Sequence, residues 1–153
     1  MLIGNNPLNE KPEWFKKNIE IIPQSKHVEV ENKKIKYFIW GDESLPKLIF
    51  LHGFNAHSYW WSHIAPFFNA KYCVVALDFS GMGESEHREE YSQAMYSKEI
   101  KAVVDEMGCT KPICLAHSMG GAIAMFSTSI FPDLFSKIIC DFFCIYDLFF
   151  CGN

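Results

Sequence analysis

The sequence has no run of lysine or arginine, no low-complexity tract and no internal repeat. Its formal net charge is −4, and a chain of this charge without a basic cluster has no electrostatic footprint for a phosphate backbone. We therefore expect no nucleic-acid partner. Hydrophobic residues make up 49% of the chain and charged residues 21%, which is typical of a globular domain with a packed core.

Both ends of the chain lack features that would direct it to a membrane. Residues 1–7 have neither the basic region nor the apolar region of a secretory signal, so we expect a cytoplasmic location. Residues 140–153 are rich in phenylalanine and cysteine, but they are too few and too interrupted by aspartates to cross a bilayer. We expect no membrane span.

The six cysteines do not form a pattern typical of disulfides or of a metal site. Cys73 and Cys114 lie in apolar, strand-like runs, where a reduced thiol behaves as a small hydrophobic residue. Cys140, Cys144 and Cys151 have spacings that suit zinc poorly, and no histidine follows them. We expect neither a metal nor another cofactor.

The order of apolar patterns predicts strands that alternate with helices. Residues 1–25 are a polar, proline-containing lead-in segment with at most one or two helical turns, and residues 26–153 are the predicted domain. Period-two alternation in 27–40 predicts two antiparallel strands, and short apolar runs predict buried strands at 48–51, 72–77, 113–116 and 136–140. Helical spacing is found at 58–68, 96–107 and 120–131. The fold class is therefore α/β, with a mostly parallel sheet of about six strands and helices on both faces.

One serine lies at the junction between a predicted buried strand and the helix that follows it. In Ala116-His117-Ser118-Met119-Gly120-Gly121, small residues two before and two after Ser118 let the strand and helix pass closely. Such a turn is strained and projects the serine Oγ out of the sheet. The backbone N–H of Met119 is then free to donate to a developing oxyanion. An ordinary serine near a helix N-cap is the alternative interpretation of this motif taken alone.

Two further motifs follow the preceding buried strands. His52-Gly53-Phe54 closes one of them, and Gly53 allows a bend that turns the backbone N–H of Phe54 toward Ser118 as a second oxyanion donor, with His52 bracing the loop. Asp78-Phe79-Ser80-Gly81-Met82-Gly83-Glu84-Ser85 follows the next, and its two glycines suit a tight loop over the same sheet edge.

Taken together, these motifs resemble those of the α/β-hydrolase family, which carries HG, D-x-x-G-x-G-x-S and G-x-S-x-G after successive strands. The resemblance covers residues 28–139, with Ala116 in place of the first glycine of the last motif. It implies a serine hydrolase acting on a small ester-like substrate through Ser118, with Asp78, Gly81 and Gly83 in a supporting loop. The family includes esterases, lipases, thioesterases, lyases and C–C hydrolases, so the fold alone does not fix the activity.

The resemblance also implies an acid and a histidine after the serine, but no histidine follows His117. His117 is bonded directly to Ser118 and is expected to be a packing residue. Asp141 and Asp147 follow the last predicted strand, where some relatives place the acid. We expect a truncated fold with an atypical tail at 140–153, little or no turnover, and possible self-association through an exposed sheet edge. A lyase or C–C hydrolase, or a non-catalytic remnant or binding protein, remains an alternative.

Overall fold

The computed structural model describes residues 11–141 of the 153-residue chain. The predictions for residues 1–10 and for residues 142–153, including those for Asp147, Cys144 and Cys151, lie outside the described residues. Within this range the elements follow each other as α1 (Glu13–Ile19), β1 (Gln24–Val30), β2 (Lys33–Trp40), β3 (Lys47–Leu51), β4 (Cys73–Leu77), α2 (Gln93–Glu106), β5 (Ile113–His117), α3 (Met119–Ile130) and β6 (Lys137–Asp141).

Six strands form one mixed sheet in the order β1-β2-β4-β3-β5-β6. The β1–β2 and β2–β4 pairs are antiparallel, whereas β3–β4, β3–β5 and β5–β6 are parallel. The predicted hairpin is confirmed, and Glu31 and Asn32 turn it with φ of 47° and 61°. The carboxyl ends of β3, β4 and β5 consequently meet at one edge of the sheet, where the three sequence motifs begin.

The three predicted central strands are adjacent and largely buried, as expected. Every residue of β4 is buried, and the register places Ile49 of β3 between Val75 of β4 and Cys114 of β5. Alternate residues of β5 are only half-buried, and they lie on the face of the sheet that packs against Trp61 and Ala65. Cys73 and Cys114 are both buried, as their apolar surroundings predicted.

The two faces of the sheet are covered differently, which corrects one prediction. Helices α2 and α3 pack on one face around Ile100, Val103 and Ile123. The continuous helix predicted over 58–68 is wrong, because two short 3₁₀ segments, Ser58–Trp61 and Ala65–Phe68, cover the second face instead. Pro66 explains the break, since it has no N–H to donate and disfavours helical geometry at the residue before it.

Helix boundaries agree closely with the signals in the sequence. Ser92 caps α2 by accepting a hydrogen bond from the backbone N–H of Met95 at 3.1 Å. Gly108 follows the end of α2 with φ of 59°, a conformation that glycine adopts without strain. Pro132 follows α3, which ends at Ile130, as predicted.

Candidate active site

Ser118 lies in the turn between β5 and α3, between His117 as the last residue of the strand and Met119 as the first of the helix. Its φ of 50° and ψ of −118° are unusual for a residue with a side chain. A conformation of this kind costs about 1–3 kcal/mol and persists only where the surrounding structure imposes it. The serine side chain does not cap the helix, although it occupies the N-cap position.

Two glycines allow the backbone to close tightly around this turn. A β-carbon on Gly120 would lie 2.6 Å from the carbonyl oxygen of His52, so α3 approaches the end of β3 more closely than any other residue would allow. A β-carbon on Gly53 would lie 3.3 Å from the Ser118 Cβ. The loop after β3 is therefore in direct contact with the serine turn.

Two backbone amides in the segments around this turn, those of Met119 and Phe54, donate no hydrogen bond within residues 11–141. Met119 is the first residue of α3, where backbone N–H groups lack acceptors within the helix. Phe54 follows Gly53 in the contacting loop, and its side chain is largely exposed. Within residues 11–141, neither the Met119 nor the Phe54 N–H donates a backbone hydrogen bond. Both are therefore available to a bound anion or carbonyl oxygen.

His52 is fully buried and uses both ring nitrogens in the loops beside Ser118. Its Nε2 accepts a hydrogen bond from the backbone N–H of Phe79 at 3.1 Å, so Nε2 carries no proton. Nδ1 must then carry the proton, and it donates to the carbonyl oxygen of Gly53 at 2.8 Å. Burial lowers the pKa of His52 and keeps the ring neutral. The ring joins the loops after β3 and β4 and has no free nitrogen for proton transfer.

Asp78 joins the same two loops through its carboxylate, which is buried. Oδ1 accepts a hydrogen bond from the backbone N–H of Ser58 at 2.6 Å, and Oδ2 accepts one from Glu84 at 2.8 Å. The loop packs so closely around this carboxylate that a β-carbon on Gly83 would collide with it. Gly81 and Gly83 both have positive φ, at 78° and 58°. Asp78 thus organises the surrounding loops, and both of its oxygens have backbone partners.

His117 points to the face of the sheet that the 3₁₀ segments cover. Its ring packs against Trp60 with the ring centroids 4.7 Å apart. Its Nδ1 lies 3.6 Å from Asp141 Oδ2, a distance too long for a hydrogen bond. The Ser118 N–H donates to the Asp141 carbonyl oxygen at 3.2 Å, so the end of β6 also holds the serine turn.

Sequence reasoning missed a buried ion pair that supports the loop after β4. Arg88 Nε donates to Glu99 Oε1 at 2.9 Å, and Glu99 Oε2 accepts from the backbone N–H of Ser80. Burial raises the pKa of Glu99, while the hydrogen bonds from Ser80 and Arg88 oppose that rise. The sequence contains one signal of this pair. The acidic Glu99 lies four residues before Val103, on the apolar face of α2, where a buried carboxylate needs a partner.

Three further features of the described residues were considered as functional sites: a metal cluster, a membrane-spanning helix and a cavity. Within 11–141, no three histidine, cysteine or acidic side chains group to hold a metal ion, and no helix is long and apolar enough to cross a membrane. A cavity of about 460 Å³ is lined by residues that include Val104, Phe131 and Leu134. It lies near the start of β5, at the opposite end of that strand from Ser118.

A family model described as the alpha/beta hydrolase fold matches residues 46–141. This chain belongs to that family, as the three motifs indicated. Its fold is accordingly an α/β-hydrolase fold with a mixed, mostly parallel sheet.

Similar proteins carry several hydrolase names. "Epoxide hydrolase 4" of Mus musculus is 34% identical over 109 residues, covering 69% of this chain and 30% of the relative. A "Putative esterase/lipase" of Haemophilus influenzae is 33% identical over 94 residues, covering 61% of this chain and 33% of the relative. The chain thus spans about a third of the length of these curated relatives.

Two solved structures share the architecture. The thioesterase domain from the curacin biosynthetic pathway superposes with a TM-score of 0.72 at 27% identity, covering 77% of this chain and 43% of that one. An epoxide hydrolase from Vigna radiata superposes with a TM-score of 0.73 at 26% identity, covering 80% and 40%. The relatives and solved structures that resemble this chain therefore carry the names of hydrolases.

Proposed function

We propose that this chain carries the nucleophile and the oxyanion-binding amides of a serine hydrolase that transfers acyl groups from small ester-like substrates. The observation that carries the proposal is the strained turn at Ser118, with φ of 50° between β5 and α3. Ser118 Oγ attacks the ester carbonyl carbon, the alcohol leaves with a proton, and water then hydrolyses the acyl-serine. The Phe54 and Met119 amides hold the oxyanion that forms at each attack.

The proposal assigns supporting roles to the residues that fix the two loops. His52 and Gly53 position the Phe54 amide, and Asp78, with Gly81 and Gly83, ties the loop after β4 to the segment at Ser58. No base is assigned, because both nitrogens of His52 have backbone partners and His117 is turned onto Trp60. A cytoplasmic location stays a prediction of the sequence.

Epoxide opening is the second candidate, since relatives of this chain carry that name. Attack of the Ser118 hydroxyl on an epoxide carbon would join the two through an ether. An ether has no carbonyl carbon for water to attack, so the enzyme would remain alkylated, whereas an acyl-serine is an ester that water cleaves. A serine at this turn therefore favours acyl transfer over epoxide turnover.

The experiment that tests the proposal is labelling of the folded chain with a fluorophosphonate, followed by peptide mass spectrometry. We expect slow but selective labelling of Ser118, because the oxyanion amides assist the attack although no base is assigned, and we expect no adduct in the Ser118→Ala variant or in the urea-unfolded chain. Ser129 is the matched control, because it is an exposed serine near the far end of α3, the helix that follows the turn. Equal labelling of Ser118 and Ser129, or no adduct on a folded chain, would contradict the proposal.

The same assay separates the two candidates when styrene oxide replaces the fluorophosphonate. Acyl transfer predicts no release of diol, and any reaction at Ser118 would leave a stable ether adduct. Repeated release of diol that depends on Ser118 would favour epoxide hydrolysis instead.

A further inference from the structure

Two successive backbone N–H groups in the loop after β4 donate to buried side chains. The N–H of Phe79 donates to His52 Nε2 at 3.1 Å. The N–H of Ser80 donates to Glu99 Oε2 at 3.0 Å. His52 and Glu99 are both fully buried, so water does not replace either of them as an acceptor. The path of this loop therefore depends on one side chain that follows β3 and one that belongs to α2.

Arg88 holds the Glu99 carboxylate, which has one partner at each oxygen. Arg88 Nε donates to Glu99 Oε1 at 2.9 Å, and Nη2 of the same guanidinium donates to the carbonyl oxygen of Val30 at 2.8 Å. The side chain of Arg88 is only 7% exposed. A buried ion pair contributes little net stability relative to an apolar pair, since both charges lose their hydration. The carboxylate supplies what an apolar side chain lacks, namely an acceptor for the Ser80 N–H.

A second side chain of α2 contacts the same point of the loop. Tyr96 precedes Glu99 by three residues on α2, and its ring packs on the buried Phe79 ring with the ring centroids 5.0 Å apart. The Phe79 ring also packs on His52, again with the ring centroids 5.0 Å apart. Phe79 is therefore held between α2 and His52 by its ring as well as by the N–H groups on either side of its Cα.

His52 connects Phe79 to the peptide group between Gly53 and Phe54. Its Nδ1–H donates to the Gly53 carbonyl oxygen at 2.8 Å, and the N–H of Ala56 makes a longer bond of 3.3 Å to the same oxygen. The peptide bond is trans and planar, so its C=O and N–H point in opposite directions. Fixing the Gly53 oxygen therefore fixes the direction of the Phe54 N–H. The hydrogen bond from His52 also polarises the peptide group, which makes its N–H a stronger donor.

We propose that Glu99 is a positioning residue for the Phe54 amide and acts on it through His52. This inference rests on the proposed function, in which the Phe54 amide binds the oxyanion. A carboxylate has no proton to donate to an oxyanion, so an effect of Glu99 on the reaction must act through the loops. Oxyanion donors are effective at about 2.7–3.1 Å, so a small displacement of the loops weakens the contact.

The NMR signal of the Phe54 amide tests the positioning on the ¹⁵N-labelled 153-residue chain without requiring the serine to react. Glu99→Gln keeps the size of the side chain but turns an NH₂ group toward either the Ser80 N–H or the guanidinium of Arg88. The loop segment should then move away from α2. We expect the ¹H–¹⁵N signal of Phe54 and the ring-nitrogen signals of His52 to shift relative to those of the parent chain.

Ser97→Ala is the matched control on the same helix. Ser97 is fully buried two residues before Glu99, and its hydroxyl accepts a hydrogen bond from Ser127 of α3 at 2.8 Å. It donates within α2, to the carbonyl oxygen of Gln93. Its loss should destabilise the chain without disturbing the acceptor of the Ser80 N–H. The Phe54 signal should therefore keep its parent position in this variant.

The rate of fluorophosphonate labelling of Ser118 is the second readout, measured at a temperature at which circular dichroism shows all variants folded. Removal of an oxyanion donor costs about 10²–10³-fold in rate, so a displaced donor should lower the second-order rate constant of Glu99→Gln about tenfold. Arg88→Lys keeps a cation beside Glu99 but loses the planar fork that also reaches Val30, so it should cause an intermediate loss. Ser97→Ala should label at the parent rate. If Glu99→Gln does not fold, the same two measurements on Arg88→Lys decide.

The positioning role fails if the Phe54 signal keeps its parent position in folded Glu99→Gln, or if it moves equally in Ser97→Ala. It also fails if Glu99→Gln labels as fast as Ser97→Ala. Labelling of Ser118 together with an unmoved Phe54 signal would overturn the role of Glu99 and leave the proposed function standing. A shifted Phe54 signal in a chain whose Ser118 never reacts would support the positioning and contradict the proposed function.

Discussion

Asp78 shows at the scale of one residue how a carboxylate can hold a candidate active site together through backbone hydrogen bonds. Both of its oxygens accept backbone hydrogen bonds, from Ser58 on one loop and Glu84 on the other. Burial leaves no solvent to replace a lost partner. The negative charge therefore ties the loop after β4 to the segment at Ser58.

Asp78→Asn tests this role, because the amide keeps one acceptor and turns an NH₂ group toward a backbone N–H. We expect a loss of about 2–3 kcal/mol in the free energy of unfolding, measured by urea denaturation. Asp42→Asn is the control, since exposed Asp42 caps the Ser44 N–H in a surface turn. A similarly small effect of both substitutions would show that the Asp78 hydrogen bonds are not important for stability.

His52 predicts a pH dependence whose sign follows from its burial. Burial lowers its pKa in the folded state, so the unfolded chain binds the proton more readily at mildly acidic pH. Stability from this residue is complete above the unfolded pKa of about 6.5 and declines as the pH falls below it, by up to about 1.4 kcal/mol per pH unit.

The measurement is the difference in unfolding free energy between the parent chain and His52→Gln from pH 7.5 to pH 5. Taking a difference removes the contribution of Glu99, whose raised pKa gives a dependence of the opposite sign. The advantage of the parent chain should shrink as the pH falls. A difference that is constant with pH would mean that His52 is as easily protonated in the folded chain as in the unfolded one.

At the scale of elements, the contact between the end of β3 and α3 sets how closely the helix after Ser118 approaches the sheet. Gly120 lets the helix start against the carbonyl oxygens of Leu51 and His52, which lie 2.7 and 2.6 Å from where a β-carbon would be. These atoms belong to buried backbone at the end of a central strand and cannot move aside easily. The position of the turn therefore depends on a glycine at position 120, because the β-carbon of any other residue would collide with these atoms.

Gly120→Ala should destabilise the chain by about 1–3 kcal/mol through overpacking, as measured by urea denaturation. It should also reduce fluorophosphonate labelling of Ser118, because the helix must move away from the strand. Gly108→Asn is the control, since Gly108 has no atoms within 4 Å of its β-carbon position and asparagine tolerates positive φ. Wild-type stability for Gly120→Ala would show that the strand and helix separate without cost.

The elements differ in how well the sequence predicts them. Buried strands such as β4 and the turn at Ser118 follow from local signals, namely an apolar run and small residues around a serine. The 58–68 segment has apolar residues at helical spacing, but Pro66 breaks the helix, and periodicity alone does not include that effect. The Arg88–Glu99 pair joins a residue of the loop after β4 to a residue of α2, so no local pattern specifies the pair.

At the scale of the molecule, residues 11–141 bring together the proposed nucleophile turn and two amides that donate no backbone hydrogen bond, and the proposal assigns no base. A serine hydroxyl without a positioned base is a weak nucleophile at neutral pH. Binding and oxyanion contacts alone give an advantage of roughly 10³–10⁴-fold over water. We expect the chain to hydrolyse p-nitrophenyl acetate only slightly faster than its Ser118→Ala variant. Turnover of several per second that requires Ser118 would mean that a base is present. Three histidines in the segments after β3 and β4, His57, His63 and His87, would then be tested first.

The most direct measurement is a crystal structure of the chain after reaction with a fluorophosphonate, because the phosphoryl oxygen occupies the place of the oxyanion. The account predicts a phosphorus–oxygen bond to Ser118 Oγ and a phosphoryl oxygen about 2.7–3.1 Å from the backbone nitrogens of Phe54 and Met119. An adduct on another residue would contradict the account. So would a phosphoryl oxygen more than about 6 Å from both nitrogens, far beyond the reach of a hydrogen bond.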